Sequence, residues 1–169
     1  MSNLRLINET EITSSVSSVN ITDVFSADFD IYKISAVGDF TNANQIINAR
    51  FINSSGSVVT TSNYDYAILS MESGVSFFQD KNTNQNYMRR MVYSNNGSDF
   101  GFVLYVFNPF SSSSYSFGLW QGEGVPTGGG TSNKGIGVLK QTASMTGIQF
   151  YNVSFTDISV KTYGLRVDS

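Results

Sequence analysis

The sequence predicts an all-β protein, an antiparallel β-sandwich with one or two short helical turns, and three observations predict it. First, apolar residues mostly alternate with a period near two, which lays one face of a strand against a core. Second, turn signals recur about every 8–12 residues, the spacing of sandwiches and barrels. Third, the composition suits strands: of 169 residues only 14% are charged, while aromatics reach 14% through 13 Phe, 9 Tyr and 1 Trp. Exposed helices are usually written with Glu, Lys, Arg and Ala instead.

One domain fits the length, and a chain of this size buries about 70% of its unfolded surface. Residues 1–20 are Ser/Thr-rich and weakly patterned, which makes them an N-terminal edge strand or arm; residues 21–169 form the single sandwich domain. The stretch Thr22–Ala27 is read as a helical turn capped by Thr22 or Asp23. The run "FDIYKISAV" (Phe29–Val37) follows as a strand buried on both sides. "QIINARFINSSGSVVTT" reads as a hairpin turning at Ser54-Ser55-Gly56, and Tyr64–Glu72 carries competing helix and strand signals.

A second hairpin is read in "NYMRRMVYSNNGSDFGFVLYVFNPF", with Asn95-Asn96-Gly97-Ser98 as its turn, because an Asn-Gly pair favours left-handed backbone. Phe100–Phe107 is its central strand, ended by Asn108-Pro109 since proline cannot donate to a ladder. "YSFGLWQGEG" is another strand, and "VPTGGGTSN" a glycine-rich loop. "KGIGVLKQT", "GIQFYNVSF" and "ISVKTYGLR" close the chain as three short strands. Phe25, Tyr32, Ile34, Phe102, Leu104 and Tyr163 are the expected core positions.

Composition also narrows the chemistry. The chain has no His and no Cys, and a net charge of −3. Triads of the Ser-His-Asp or Cys-His kind cannot be built within it, and the commonest general base and metal ligands are missing. Basic residues are scattered, so no nucleic-acid footprint exists. No apolar run approaches the ~20 residues of a membrane helix, and "MSNLRLINETEITSS" lacks an apolar core of signal-peptide length. A soluble chain, released by lysis if it leaves a cell, is the expectation.

Four constellations could carry chemistry. Asp28 and Asp30, two apart on a strand, would share a face, as the paired acids of glycoside hydrolysis do; as acids at a strand start they more simply hydrogen-bond the local turn. Asp80, Asn82 and Asn84 open like a calcium loop, but Gln85 and Met91 stand where glycine and a bidentate glutamate are required, leaving a polar loop. Lys134 follows a glycine-rich run without the Ser/Thr and helix of a phosphate loop. Trp120, with Tyr115, Phe117 and Gln121, could form a sugar platform, although alternation puts Tyr115, Phe117 and Leu119 on one face and Trp120 on the other. A lone Trp in a β-protein is more often core. Asn-x-Ser/Thr matches at Asn8, Asn20, Asn53, Asn96 and Asn152 are those expected by chance in such a composition. The readings are therefore no catalytic residue, no metal and no cofactor, with Tyr115, Trp120, Gln121, Gly128, Gly129 and Gly130 as the surface contacts.

Three motifs fall in a familiar order: "DVFSADFDIYKI" (Asp23–Ile34), Asn108-Pro109, and Tyr163-Gly164-Leu165-Arg166. The set resembles small virion structural proteins, head decoration or tail-associated, of marine tailed phages, especially cyanophages. The departures are Phe29 where Tyr is usual and Thr162 before Tyr163. The resemblance implies a jelly-roll-like sandwich on the virion surface, non-enzymatic, bound to the major capsid protein or to tail components. It also implies a homo-oligomer with a trimer favoured; the scattered basic residues and the lack of a long apolar run lead to the expectation of no nucleic-acid and no membrane partner. The Trp120 region and the Gly122–Gly130 loop support the alternative of a tail-fibre or receptor-binding module recognising host cell-surface glycans.

Overall fold

The computed structural model describes residues 3–74, 77–95 and 97–165. Asn96 and Arg166, both part of motifs read above, lie outside them. Eleven strands follow in order: β1 (Leu4–Ile12), β2 (Val16–Ile21), β3 (Ile31–Phe40), β4 (Gln45–Asn53), β5 (Tyr64–Glu72) and β6 (Phe78–Gln85). Then come β7 (Met88–Ser94), β8 (Phe100–Phe107), β9 (Ser116–Gly124), β10 (Thr131–Leu139) and β11 (Met145–Leu165). All pair antiparallel in one hydrogen-bonded sheet that doubles back on itself. The all-β sandwich read from the sequence is the observed fold class.

The doubling happens in β11. Its first part pairs with β4 and β2, and its last part with β3 and β1. Between them Asn152 sits at φ 77 and donates its side-chain amide to the Ile46 carbonyl at 3.1 Å. An asparagine tolerates that left-handed backbone, and such an irregularity bends a strand. One strand thus serves a large leaf, β6-β5-β10-β9-β8-β3-β11-β1, and a small leaf, β7-β4-β11-β2. The two closing strands expected from the sequence are this single element.

The core lies between the leaves. Phe40, Phe100 and Phe155 cluster with ring centroids 4.5–6.2 Å apart, and Phe102 meets Phe150 edge-on at 5.0 Å. Phe25, Tyr32, Ile34, Phe102 and Leu104 are buried as expected. Tyr163 is not: it is half-buried and points outward, because its register partners Lys33 and Leu6 belong to the outer row.

Several local expectations are corrected. Thr22–Ala27 is not helical, and the described residues contain no helix. Asp23 has φ 56, and the N–H groups of Val24 and Phe25 both bond the Thr146 carbonyl, so no helical ladder can start. Asp28 and Asp30 precede β3 in an exposed turn and share no strand face. β3 is buried on one side only, through Tyr32, Ile34 and Ala36. The return after Ser54-Ser55-Gly56 pairs with β4 only at the bridge Ile52–Val58, since β11 and β7 hold the edges of β4.

Gly97 takes φ 65 as its turn requires, but β7 and β8 do not form a hairpin. Both edges of β8 are occupied by β3 and β9, so the turn carries the chain from the small leaf to the large one. The polar run Asp80–Gln85 is strand, the edge strand β6, and its polarity suits an edge. Asp80 there accepts from Arg89 at 2.6 Å. Thr131–Asn133 belongs to β10, which shortens the glycine-rich loop to residues 125–130.

Candidate binding face

Strand alternation divides the large leaf into an inner and an outer face, and the inner one explains the glycines. Trp120 points inward and is 1% exposed. A Cβ on Gly135 would stand 2.2 Å from its ring, and one on Gly137 would stand 2.7 Å from the sulfur of Met88. The alternating glycines of "KGIGVL" therefore make room for the indole and the thioether. Trp120 Nε1 donates to the Arg90 carbonyl at 3.0 Å, across the core. As a surface contact Trp120 is ruled out: its strand's glycines share its face, and that face is the interior.

Arg90 itself is a buried cation. Its guanidinium donates to Asn133 Oδ1 at 2.9 Å and to Glu72 at 2.5 Å, and lies between the rings of Phe78 and Tyr93. Burial lowers its pKa from the ordinary arginine value, with Glu72 working in the opposite sense. Ser70 shares the Asn133 acceptor at 2.6 Å, and Asn133 Nδ2 and the Thr131 hydroxyl have no partner among the described residues. This cluster ties β7 to β5 and β10 and is structural.

The outer face carries the unusual surface. Register aligns one row across six strands, Ile136–Leu119–Tyr105–Lys33–Tyr163–Leu6, and beside it Val138–Phe117–Phe107–Ile31–Leu165–Leu4. Two more polar rows continue the face: Lys134–Gln121–Val103–Ser35–Lys161–Glu9, and Ser132–Glu123–Gly101–Val37–Ser159–Glu11. Exposure is high at apolar positions: Val37 59%, Ile136 58%, Leu6 48%, Phe117 41% and Leu119 37%. Leaving a large apolar side chain in water forgoes about 1.5–3 kcal/mol each. Contiguous patches of this kind mark interaction sites.

The face is also shaped. Lys33, Val103, Tyr105, Leu119, Gln121 and Lys134 line a depression of about 600 Å³. It continues toward the β9–β10 turn into a larger one of about 860 Å³ beside Met71, Phe77 and Glu123. Glu123 accepts from Ser132 at 2.8 Å and from Gln121 at 3.2 Å, while Lys161 pairs with Glu9 at 2.8 Å.

Of the surface contacts read from sequence, Gln121 lies in this depression and Gly130 on the rim of the larger one. Gly128 and Gly129 form the turn at φ 112 and 134. Tyr115 is exposed just before β9, at the other end of that nine-residue strand, about 30 Å away. The structure does not bring these residues together. Phe117, read with Tyr115 and Gln121 as part of a platform, is on the outer face, while Leu119, Ile136 and Leu6 were not among the surface contacts read from sequence. Their signal was present only in part: alternation sets Phe117 and Leu119 opposite Gly118, Trp120 and Gly122, but does not say which of the two sides faces out.

No known family pattern matches the chain, and neither does any curated protein. Among solved structures it is similar to galectin LEC-6 of Caenorhabditis elegans, at TM-score 0.38 and 13% identity over 89% of this chain and 94% of the galectin. It is also similar to the SPBc2 prophage-derived protein YomS, at TM-score 0.32 and 10% identity over 96% of this chain and 91% of that one. A third is the endo-β-1,4-glucuronan lyase of the fungus Trichoderma reesei, at TM-score 0.37 and 9% identity over 96% and 79%. Likenesses this distant carry nothing about ligand or activity.

Proposed function

We propose that this chain is a non-enzymatic structural protein of a phage virion, a capsid decoration protein that associates with the major capsid protein and stabilises or decorates the head. The observation that supports the reading is the exposed apolar half of the outer face, a surface suited to packing against another protein. The motif resemblance of Asp23–Ile34 and of Asn108-Pro109 supplies the virion context. Mass spectrometry of purified particles of the phage that encodes the chain tests it. Many copies per particle support decoration, a few support a vertex or tail position, and absence ends the reading.

A second reading, a tail-fibre or receptor-binding module for host glycans, is favoured by one feature. The depression floored by Tyr105, Leu119 and Gln121 combines apolar surface with amide and lysine donors. A glycan array with the wild-type chain and Gln121→Ala tests it, and equal signal from both proteins counts against it.

A further inference from the structure

Resting on the reading of the outer face as an assembly surface, we infer that its occupant is a second copy of this chain, packed face to face about a two-fold axis. The size of the face is right. Eight strands about 4.8 Å apart and four outward positions along each span about 700–900 Å², against about 800 Å² per partner in a standard interface.

The charge pattern admits a second copy as the partner. The four rows with their extension over β5 and β6 carry Lys33, Lys81, Lys134 and Lys161. Against these stand Asp65, Glu9, Glu11 and Glu123. The face is thus neutral in a chain of net charge −3, and two copies meet there without net repulsion. A two-fold interface is self-complementary, each patch meeting itself.

Geometry also selects the axis. Because two rows are apolar and two polar, an axis running along the strands is the one that overlaps all four rows while laying apolar rows on apolar rows. With β6 and β1 as the outer strands, that axis falls between β8 and β9. It sets Leu119 of each copy on Tyr105 of the other, and Ile136 on the aliphatic stem of Lys33. Through all four rows this operation opposes no cation to a cation and no carboxylate to a carboxylate.

Sedimentation velocity from about 1 to 100 µM reads the association directly, and a dimer with Kd in or below that range is expected. Leu119→Glu weakens it about 100-fold or more, with far-UV circular dichroism and Trp120 emission unchanged as the control for folding. The axis is read by cross-linking, since the chain has no cysteine of its own. Ile136→Cys and Lys33→Cys lie on strands separated by β9 and β8 within one copy, yet face each other between copies. Mixing the two single variants under mild oxidation gives a covalent dimer, and neither alone does so at a comparable rate. A monomer at about 100 µM, a trimer, an association indifferent to Leu119→Glu, or a mixture that fails to cross-link each overturns the inference. No particle enters these measurements, so a monomeric result leaves the virion reading standing, and absence from particles leaves the dimer standing.

Discussion

The indole N–H of Trp120 bonds the carbonyl of Arg90 at 3.0 Å, fastening β9 of the large leaf to β7 of the small one. Arg90 is held with φ 60, a strained value for a side chain of its size, so the contact works on a backbone the surrounding packing must hold in place.

Gly135 gives this contact its space. Gly135→Ala puts a methyl 2.2 Å from the indole and is expected to cost about 2–3 kcal/mol, read by urea unfolding followed through Trp120 emission. Gly101→Ala is the control: its Cβ meets only Val37 Cγ1 at 3.7 Å and the Ala36 oxygen at 3.8 Å on the outer face. Its stability should change by no more than about 0.5 kcal/mol.

Around Arg90 the pairing matters more than the charge. Glu72→Ala leaves the guanidinium short of a partner, and since Glu72 is partly solvated the loss should be about 2 kcal/mol rather than the larger figure for a fully buried pair. Arg90→Lys should not restore wild-type stability, because an ammonium cannot fork to Asn133 and Glu72 while lying flat between Phe78 and Tyr93. Denaturation midpoints of the two variants decide this.

Tyr32 holds the turn before β3. Its hydroxyl accepts from the Ser26 N–H at 2.8 Å and donates to the Ser26 carbonyl at 2.9 Å, while its ring meets Phe25 edge-on at 4.8 Å. Tyr32→Phe should cost about 1–3 kcal/mol and raise amide exchange at Ser26. Stability equal to wild type would show that water replaces both bonds.

The acid limb of stability should respond to Asp65. The Asn84 backbone N–H at 2.8 Å, and then Lys140 at 2.9 Å, hold its carboxyl below the ordinary aspartate range. A depressed folded pKa contributes stability above the unfolded value, lost as pH falls through the folded one, so the window lies below about pH 4. Asp65→Asn should flatten the melting temperature against pH there; an unchanged slope would count against the assignment.

Packing depth separates the two faces of the large leaf. Phe102→Ala should cost about 3–5 kcal/mol, whereas Ile136→Ala, on the exposed side, should stay within about 1 kcal/mol in the monomer. Thermal melts at low protein concentration check the pair.

Local chemistry was legible in the residues: alternation marked β3, β8 and β9, Gly97 took the left-handed turn, and Pro109 followed the end of β8. Tyr32, Ile34, Phe102 and Leu104 could be assigned to the core because period two divides a strand into faces without reference to any neighbour, while Phe25 precedes β3 and is buried through its contact with Tyr32. Pairing could not be read in this way. The turn at Gly97 joins strands of different leaves because β3 and β9 already hold both edges of β8, a competition among residues far apart in sequence. The same holds for Trp120, Tyr163 and the outer rows. Alternation separates Trp120 from Phe117 and Leu119, but only the closure of the small leaf over the large one, through β11, decides which side loses its water. That closure buried the tryptophan against its glycines and left Leu119, Ile136 and Tyr163 on the outer face.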